Sequence, residues 1–237
     1  MRKKFQKFKA SYFLYSFKRD KMAIFSFIVL TIFLLLAVTA PWVSPMDPYD
    51  AVNIDIMNSE LPPVWMEEGS SEFLLGTDNQ GRDMLSTMLY GLRTSIVIGL
   101  GAVALQGVIG VIVGLFAGYM GGKVDAVLMR LADIQFSFPY LMVAILMSAI
   151  FQVAFGLGSF ERLAVPLLIV IIGLSNWPMF ARTIRASVIG EKNKEYVEAA
   201  KVIGLPTWTI IFRHILPNSL TSVMVISTIQ VANAVMS

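Results

Sequence analysis

The stretch Met22-Ala-Ile-Phe-Ser-Phe-Ile-Val-Leu-Thr-Ile-Phe-Leu-Leu-Leu-Ala-Val-Thr-Ala-Pro-Trp-Val43 contains no charged residue and is almost wholly Ile, Leu, Val and Phe between Phe25 and Val38. An α-helix rises about 1.5 Å per residue, so about 20 such residues cross the hydrocarbon of a bilayer. Four more uncharged apolar runs of spanning length follow: Thr94–Gly122, Ile134–Phe160, Leu163–Ala181 and Ile215–Ser237. These solid runs lack the apolar–polar alternation of membrane strands, so the predicted spans are helices. The fourth carries Pro166 and Pro178, and a kink or early stop is expected there. The whole composition agrees: 237 residues, 56% hydrophobic, 15% charged, with a mean hydropathy of +0.70. Soluble domains carry about 25% charged residues. Disordered chains are poorer still in hydrophobics, which excludes that class. The predicted fold is an all-α, polytopic transmembrane helical bundle.

Orientation follows from the basic residues, which favour the cytoplasmic side. Residues 1–21 hold eight of them: Arg2, Lys3, Lys4, Lys7, Lys9, Lys18, Arg19 and Lys21. With that segment cytoplasmic, Lys123, Arg130, Arg182, Arg185, Lys192, Lys194, Lys201 and Arg213 fall on the same side. Sixteen of the nineteen Lys and Arg then share one face, leaving Arg82, Arg93 and Arg162 outside. The first run reads as an uncleaved anchor, because its core is long for a signal peptide and Pro41 follows the small-residue ending. The basic head is read as topology and lipid contact, with no nucleic acid implied at a net charge of +3. The predicted organisation is a basic cytoplasmic segment 1–21, a first transmembrane helix 22–43, an extracytoplasmic loop 44–93 and a core 94–237. The loop holds nine acids and dense turn signals at Pro45–Pro48 and Leu61–Pro63.

Chemistry is sparse. The chain has no Cys and one His, His214, which excludes thiol catalysis, thiolate zinc and a His metal cluster. No cofactor site is predicted. Gly118–Lys123 resembles a phosphate loop at a glance, but Ala117 stands where the first glycine belongs and Val124 where Ser or Thr belongs. The five runs contain no ionisable residue, so nothing in them couples transport to an ion gradient. Gln106, Gln135, Gln152, Asn176, Gln230 and Asn233 are read chiefly as interhelix hydrogen bonds, with a polar path as the alternative. Gly107, Gly110, Gly114 and Gly118 are candidate helix-packing residues, the last three at the four-residue spacing that admits a close neighbour.

The segment 182–217 is the most informative. Lys194–Ile203 has helical spacing, with Tyr196, Ala199, Ala200 and Ile203 forming a small apolar face and Lys194–Glu198 and Glu198–Lys201 spaced as charge pairs. Gly204 stands where a helix end needs a left-handed residue. A second helix, Trp208–Ile215, is expected to lead into the last span. Small residues on a protruding knuckle suit docking into a partner's groove.

Here the residues resemble a known family. Glu198-Ala-Ala200, three residues, Gly204, and then Leu216-Pro217 are similar to the coupling motif of ABC importer permeases. The fuller strings Glu195–Gly204 and Ile211–Asn218, with His214 before the Leu-Pro, resemble the peptide-importer branch. A second string, Leu75-Gly-Thr-Asp-Asn-Gln-Gly-Arg-Asp83 followed by Tyr90-Gly-Leu-Arg-Thr-Ser95, is similar to the outer-loop signature of the C-type subunit of dipeptide, oligopeptide and nickel importers. Its candidate residues are Gly76, Thr77, Asp78, Gly81, Arg82 and Asp83. The resemblance implies a type I importer permease of the bacterial inner membrane with a cytoplasmic N-terminus. It implies a second homologous permease subunit, two cytoplasmic ABC ATPase subunits and an extracytoplasmic solute-binding protein as partners. Glu198, Ala199, Ala200, Gly204, Leu216 and Pro217 would couple to an ATPase. The chain itself would be no enzyme, and its solute a peptide or, alternatively, nickel or a metal chelate. A gradient-driven carrier and an intramembrane enzyme are the less favoured classes. Such permeases have a sixth span, whereas the fifth here ends at Ser237, so the expectation is of a product lacking its last helix.

Overall fold

A computed structural model describes residues 12–50 and 54–236; Arg2, Lys3, Lys4, Lys7 and Lys9 of the basic head lie outside them. The described residues form eight α-helices, one 3-10 turn and a single isolated bridge between Thr77 and Asp83. The chain divides into two units, residues 1–96 and 97–237, with the division inside the third helix.

The first unit opens with α1 (Tyr12–Arg19) and α2 (Lys21–Val43). Asp20 caps α2 by accepting the Met22 and Ala23 N–H groups at 3.0 and 3.1 Å, satisfying donors that would otherwise enter the membrane unpaired. Helix α2 matches the first predicted span. Helix α3 (Met84–Met120) begins ten residues before Thr94, so the last ten residues of the predicted segment 44–93 are helical. The reason is capping: Asp83 accepts the Ser86 N–H at 2.7 Å and fixes the first turn, a signal that apolar content does not carry.

In the second unit the predicted third span is not one helix. Helix α4 (Gly122–Phe136) and α5 (Tyr140–Phe155) meet at a bend of 82°. Pro139 removes a backbone donor and disfavours helical geometry in the residue before it, and that breaks the rod. Gly156, at φ +77°, ends α5 before the predicted Phe160. The described residues therefore hold four helices long and apolar enough to cross a membrane, with the bent pair as a fifth. Helix α6 (Leu157–Lys192) passes through both Pro166 and Pro178 without stopping, and it runs past the predicted end at Ala181. Helix α7 (Glu195–Val202) follows, then α8 (Thr207–Met236).

Helix α8 contains a π-helical stretch, Ile210–Ile215, in which the Leu216 N–H reaches back five residues to the Ile211 carbonyl. Pro217 follows directly. A proline ring collides with the carbonyl four residues earlier in a regular helix, and the wider turn opens that space.

Two contacts organise this unit. Gly110, Gly114 and Gly118 on α3 lie directly against α6. A Cβ on Gly110 would collide with Phe180, one on Gly114 with the Ala181 carbonyl, and one on Gly118 would stand 2.9 Å from the Arg185 carbonyl. Gly107 is different, since its Cβ would meet the Phe180 ring edge at an ordinary 3.9 Å. The second contact is ionic and antiparallel. Arg185 on α6 holds Asp125 on α4 with both nitrogens at 2.5 and 2.6 Å, and Arg182 bonds Asp133 at 2.7 Å while lying over the Phe136 ring. Planar, bidentate pairing fixes the angle of α4 more tightly than a point charge could.

Candidate functional site

Helix α7 is eight residues long, too short to persist alone in water, so its shape is set by its end and its contacts. At the end, the Gly204 N–H bonds the Lys201 carbonyl at 3.0 Å and the Leu205 N–H bonds the Ala200 carbonyl at 3.1 Å. This pair of bonds requires a left-handed residue between them, and Gly204 supplies it at φ +82°. Nothing lies within 4 Å of where its side chain would be, so backbone conformation alone selects glycine.

The faces of α7 correct the expectation from spacing. Ala200 is 4% exposed and Val197 fully buried, both packed in the core with Ile184, Val188, Ile210, Ile211 and Ile215. Ala200 therefore faces its own subunit. The outward apolar residues are Ala199, Val202 (87% exposed) and Ile203 (76%). Tyr196 turns sideways toward a polar clamp. The expected Lys194–Glu198 and Glu198–Lys201 pairs are replaced: Lys194 bonds Glu191, three residues back, and Glu198 points outward. Leu216 packs half-buried against the same core, while Pro217 is exposed.

The clamp binds three helices. Glu191 near the end of α6 accepts from Lys194 and from the Tyr196 hydroxyl, and Asn218 on α8 donates to the Tyr196 oxygen at 3.0 Å and to the His214 carbonyl at 2.9 Å. Burial, and then the bond to Glu191, push the Tyr196 hydroxyl above its ordinary pKa, so it remains a donor at neutral pH. Beside the clamp, Lys192 donates to the Tyr119 carbonyl at 2.6 Å, neutralising the negative end of α3. The knuckle is thus tied to α6 through Glu191 and to α8 through Asn218. Spacing alone missed the clamp, whose partners lie 5 and 22 residues apart.

The outer-loop string folds as a knot within the first unit. Asp78 accepts the Gln80 and Arg82 N–H groups at 2.9 and 3.0 Å through one oxygen and the Arg82 guanidinium at 2.7 Å through the other. Burial works to raise its pKa, but those bonds with Arg82 and Gln80 hold the carboxyl below its usual value. The Thr77 hydroxyl donates to the Asn58 carbonyl and accepts the Leu61 N–H. Gly76 and Gly81, at φ +79° and +77°, lie against the carbonyls of Leu61 and Asp55, where no side chain fits. Asp83, 1% exposed, holds Ser86, whose hydroxyl oxygen also receives the Met46 N–H at 3.3 Å. All six signature residues take part in one structure that clips the loop to the start of α3.

Residues 110–237 match the family model described as the binding-protein-dependent transport system inner membrane component. The chain belongs to that family. Residues 10–63 match a second model, the N-terminal transmembrane domain of oligopeptide transport permease C. The transport component is 34% identical over 224 residues to the dipeptide transport system permease protein of Haemophilus influenzae, covering 94% of this chain and 72% of that one. It is 33% identical to the di/tripeptide permease protein of Pseudomonas aeruginosa (93% and 69% covered) and 34% to the oligopeptide permease protein of Bacillus subtilis (92% and 66%). It is thus a multi-pass component of the inner membrane. The knuckle and its clamp lie inside the longer family match, which starts at Gly110. The loop knot at residues 75–83 and Gly107 lie between the two matched stretches.

Proposed function

We propose that this transport component forms half of the translocation path of an ATP-driven importer, receiving peptides from an extracytoplasmic binding protein. A second homologous permease supplies the other half, and two cytoplasmic ATPases drive the cycle. The observation that carries the reading is the knuckle: a short helix ended by left-handed Gly204, apolar on its outer side at Ala199, Val202 and Ile203, and clamped to two long helices. Such a lever converts motion at a docked ATPase into rotation of α6 and α8. The peptide substrate, over nickel, is supported by the relatives, whose names are those of dipeptide, di/tripeptide and oligopeptide transporters. The test is uptake of a labelled dipeptide into right-side-out vesicles that carry the complete system and are loaded with ATP. ATP-dependent accumulation is expected, and accumulation of nickel without any peptide would overturn the reading.

The proposed orientation places the N-terminus, Lys123 and Lys194 in the cytoplasm and Glu67 outside. It rests on the charge bias of the sequence. Because the chain lacks cysteine, single cysteines at Ala10, Glu67, Lys123, Ser159 and Lys194 can be labelled with an impermeant reagent. Glu67 and Ser159 should react from outside in intact cells and the other three only after lysis. Outside labelling at Lys194 would invert the proposed map.

A further inference from the structure

Three amides form a directed chain through the apolar body of the second unit. Asn233 Nδ2 donates to Gln230 Oε1 at 2.9 Å, Gln230 Nε2 donates to Gln106 Oε1 at 3.4 Å, and Gln106 Nε2 donates to the Ile172 carbonyl at 3.2 Å. Gln106 is 1% exposed and Gln230 7%, and Gln106 stands midway along the apolar part of α3. An unpaired amide in hydrocarbon costs several kcal/mol, so the two inner members need each other and the Ile172 carbonyl.

The outer member is not explained by that need. Asn233 is exposed on α8, where an apolar residue would suit lipid better. Its level is near the start of the apolar part of α3, because its neighbours Val231 and Val235 lie against Gly99, seven residues before Gln106. The direction of the chain then matters. Each amide donates inward, so the group left facing outward is the Asn233 carbonyl oxygen, an acceptor with no hydrogen bond among the described residues. Polar side chains at membrane depth that are not consumed by packing mark a water-filled path.

We infer that Asn233 Oδ1 lines the translocation path and accepts an N–H of the passing peptide, with Gln230 and Gln106 as positioning residues that hold its amide in that orientation. The inference rests on the peptide-importer reading above. A neutral acceptor suits a substrate class that varies in side chain and charge but always carries N–H donors.

The test uses the assembled transporter in membrane vesicles. Asn233→Cys, which introduces the only thiol in this chain, should react with a small water-soluble thiosulfonate, whereas Ile28→Cys in α2 should not. Asn233→Leu should slow uptake of an ordinary dipeptide about fivefold, the worth of one hydrogen bond. The same variant should abolish the transporter's preference for that dipeptide over one methylated at the peptide nitrogen, the pair being chosen for equal affinity to the binding protein. Asn233→Thr, which keeps an acceptor, should recover part of the preference. A purely structural role would slow both dipeptides alike and leave the preference intact, and that result overturns the inference. So does an Asn233→Cys variant whose thiol fails to react, which would place lipid or the second permease over this position. Wild-type dipeptide uptake, measured in the same vesicles, separates the two readings. If the wild type carries no peptide, the importer reading fails. If it does and the Asn233→Cys thiol is unreactive, only this inference fails.

Discussion

Gly114→Val is expected to remove the folded subunit from the membrane altogether. The Cβ would fall inside contact distance of the Ala181 carbonyl and its branches against Ile184, so α3 and α6 could not close. Overpacking a well-fitted core costs about 1–3 kcal/mol. The obstacle here is backbone, which cannot rotate aside, so the upper end applies. Gly110→Val should behave alike, because Phe180 and the Trp177 carbonyl occupy that position. Gly107→Ala is the control. It meets ordinary contact distance, and alanine is favoured over glycine in a helix by about 1 kcal/mol, so stability should hold or rise. The measurement is the yield and thermal midpoint of the detergent-solubilised subunit. A Gly114→Val protein with wild-type yield would show that α3 and α6 do not cross at these glycines.

The second large effect is expected at the knuckle, and its pattern across three positions is diagnostic. Gly204→Val forces a β-branched residue to φ +82°, a left-handed conformation that costs about 1–2 kcal/mol. It should misdirect the chain between α7 and α8 while the spans still insert. Ala199→Trp places bulk on the outer face and should weaken capture of the ATPase at least about thirtyfold, as loss of a docking hot spot does. The subunit itself should remain folded. Ala200→Trp should do the opposite, destroying the subunit by intruding between Ile184, Ile210 and Ile211. Lys194→Ala removes an exposed ion pair with Glu191 and should change little. The readouts are co-purification of the ATPase subunits, subunit yield and coupled uptake. If Ala199→Trp retains normal coupling, the outer face of α7 is not where the ATPase docks.

Residues with local consequences were legible in order of how little context they require. Gly204 could be read because a helix end needing a left-handed residue is a property of a few consecutive positions. The outer-loop string could be picked out but not interpreted. Its meaning lies in bonds from Thr77 to Asn58 and Leu61 and from Ser86 to Met46, across 16 to 40 residues of chain. The face of Ala200 was misread for a related reason. Helical spacing groups Tyr196, Ala199, Ala200 and Ile203 on one broad side, but only packing against α6 and α8 decides where along that arc the core ends. Val197 and Ala200 fall inside it, Ala199 and Ile203 outside.

What the sequence determined by itself is what hydropathy and turn chemistry determine within one segment. The chain enters a membrane as helices, the first span runs over residues 22–43, and a left-handed glycine ends the knuckle. These follow from transfer of apolar side chains and from backbone groups that must be satisfied locally. Tertiary structure decided the remainder. Continuity through Pro166 and Pro178 but a break before Tyr140, the distinction of Gly107 from Gly110 and Gly114, and the joining of Gln106 to Gln230 all depend on which helix lies alongside. A glycine is tight only where another backbone crosses it, and an amide is satisfied only where a partner arrives from elsewhere in the chain. No window of sequence contains the crossing point of two helices, because that point is set by all the contacts along both of them together.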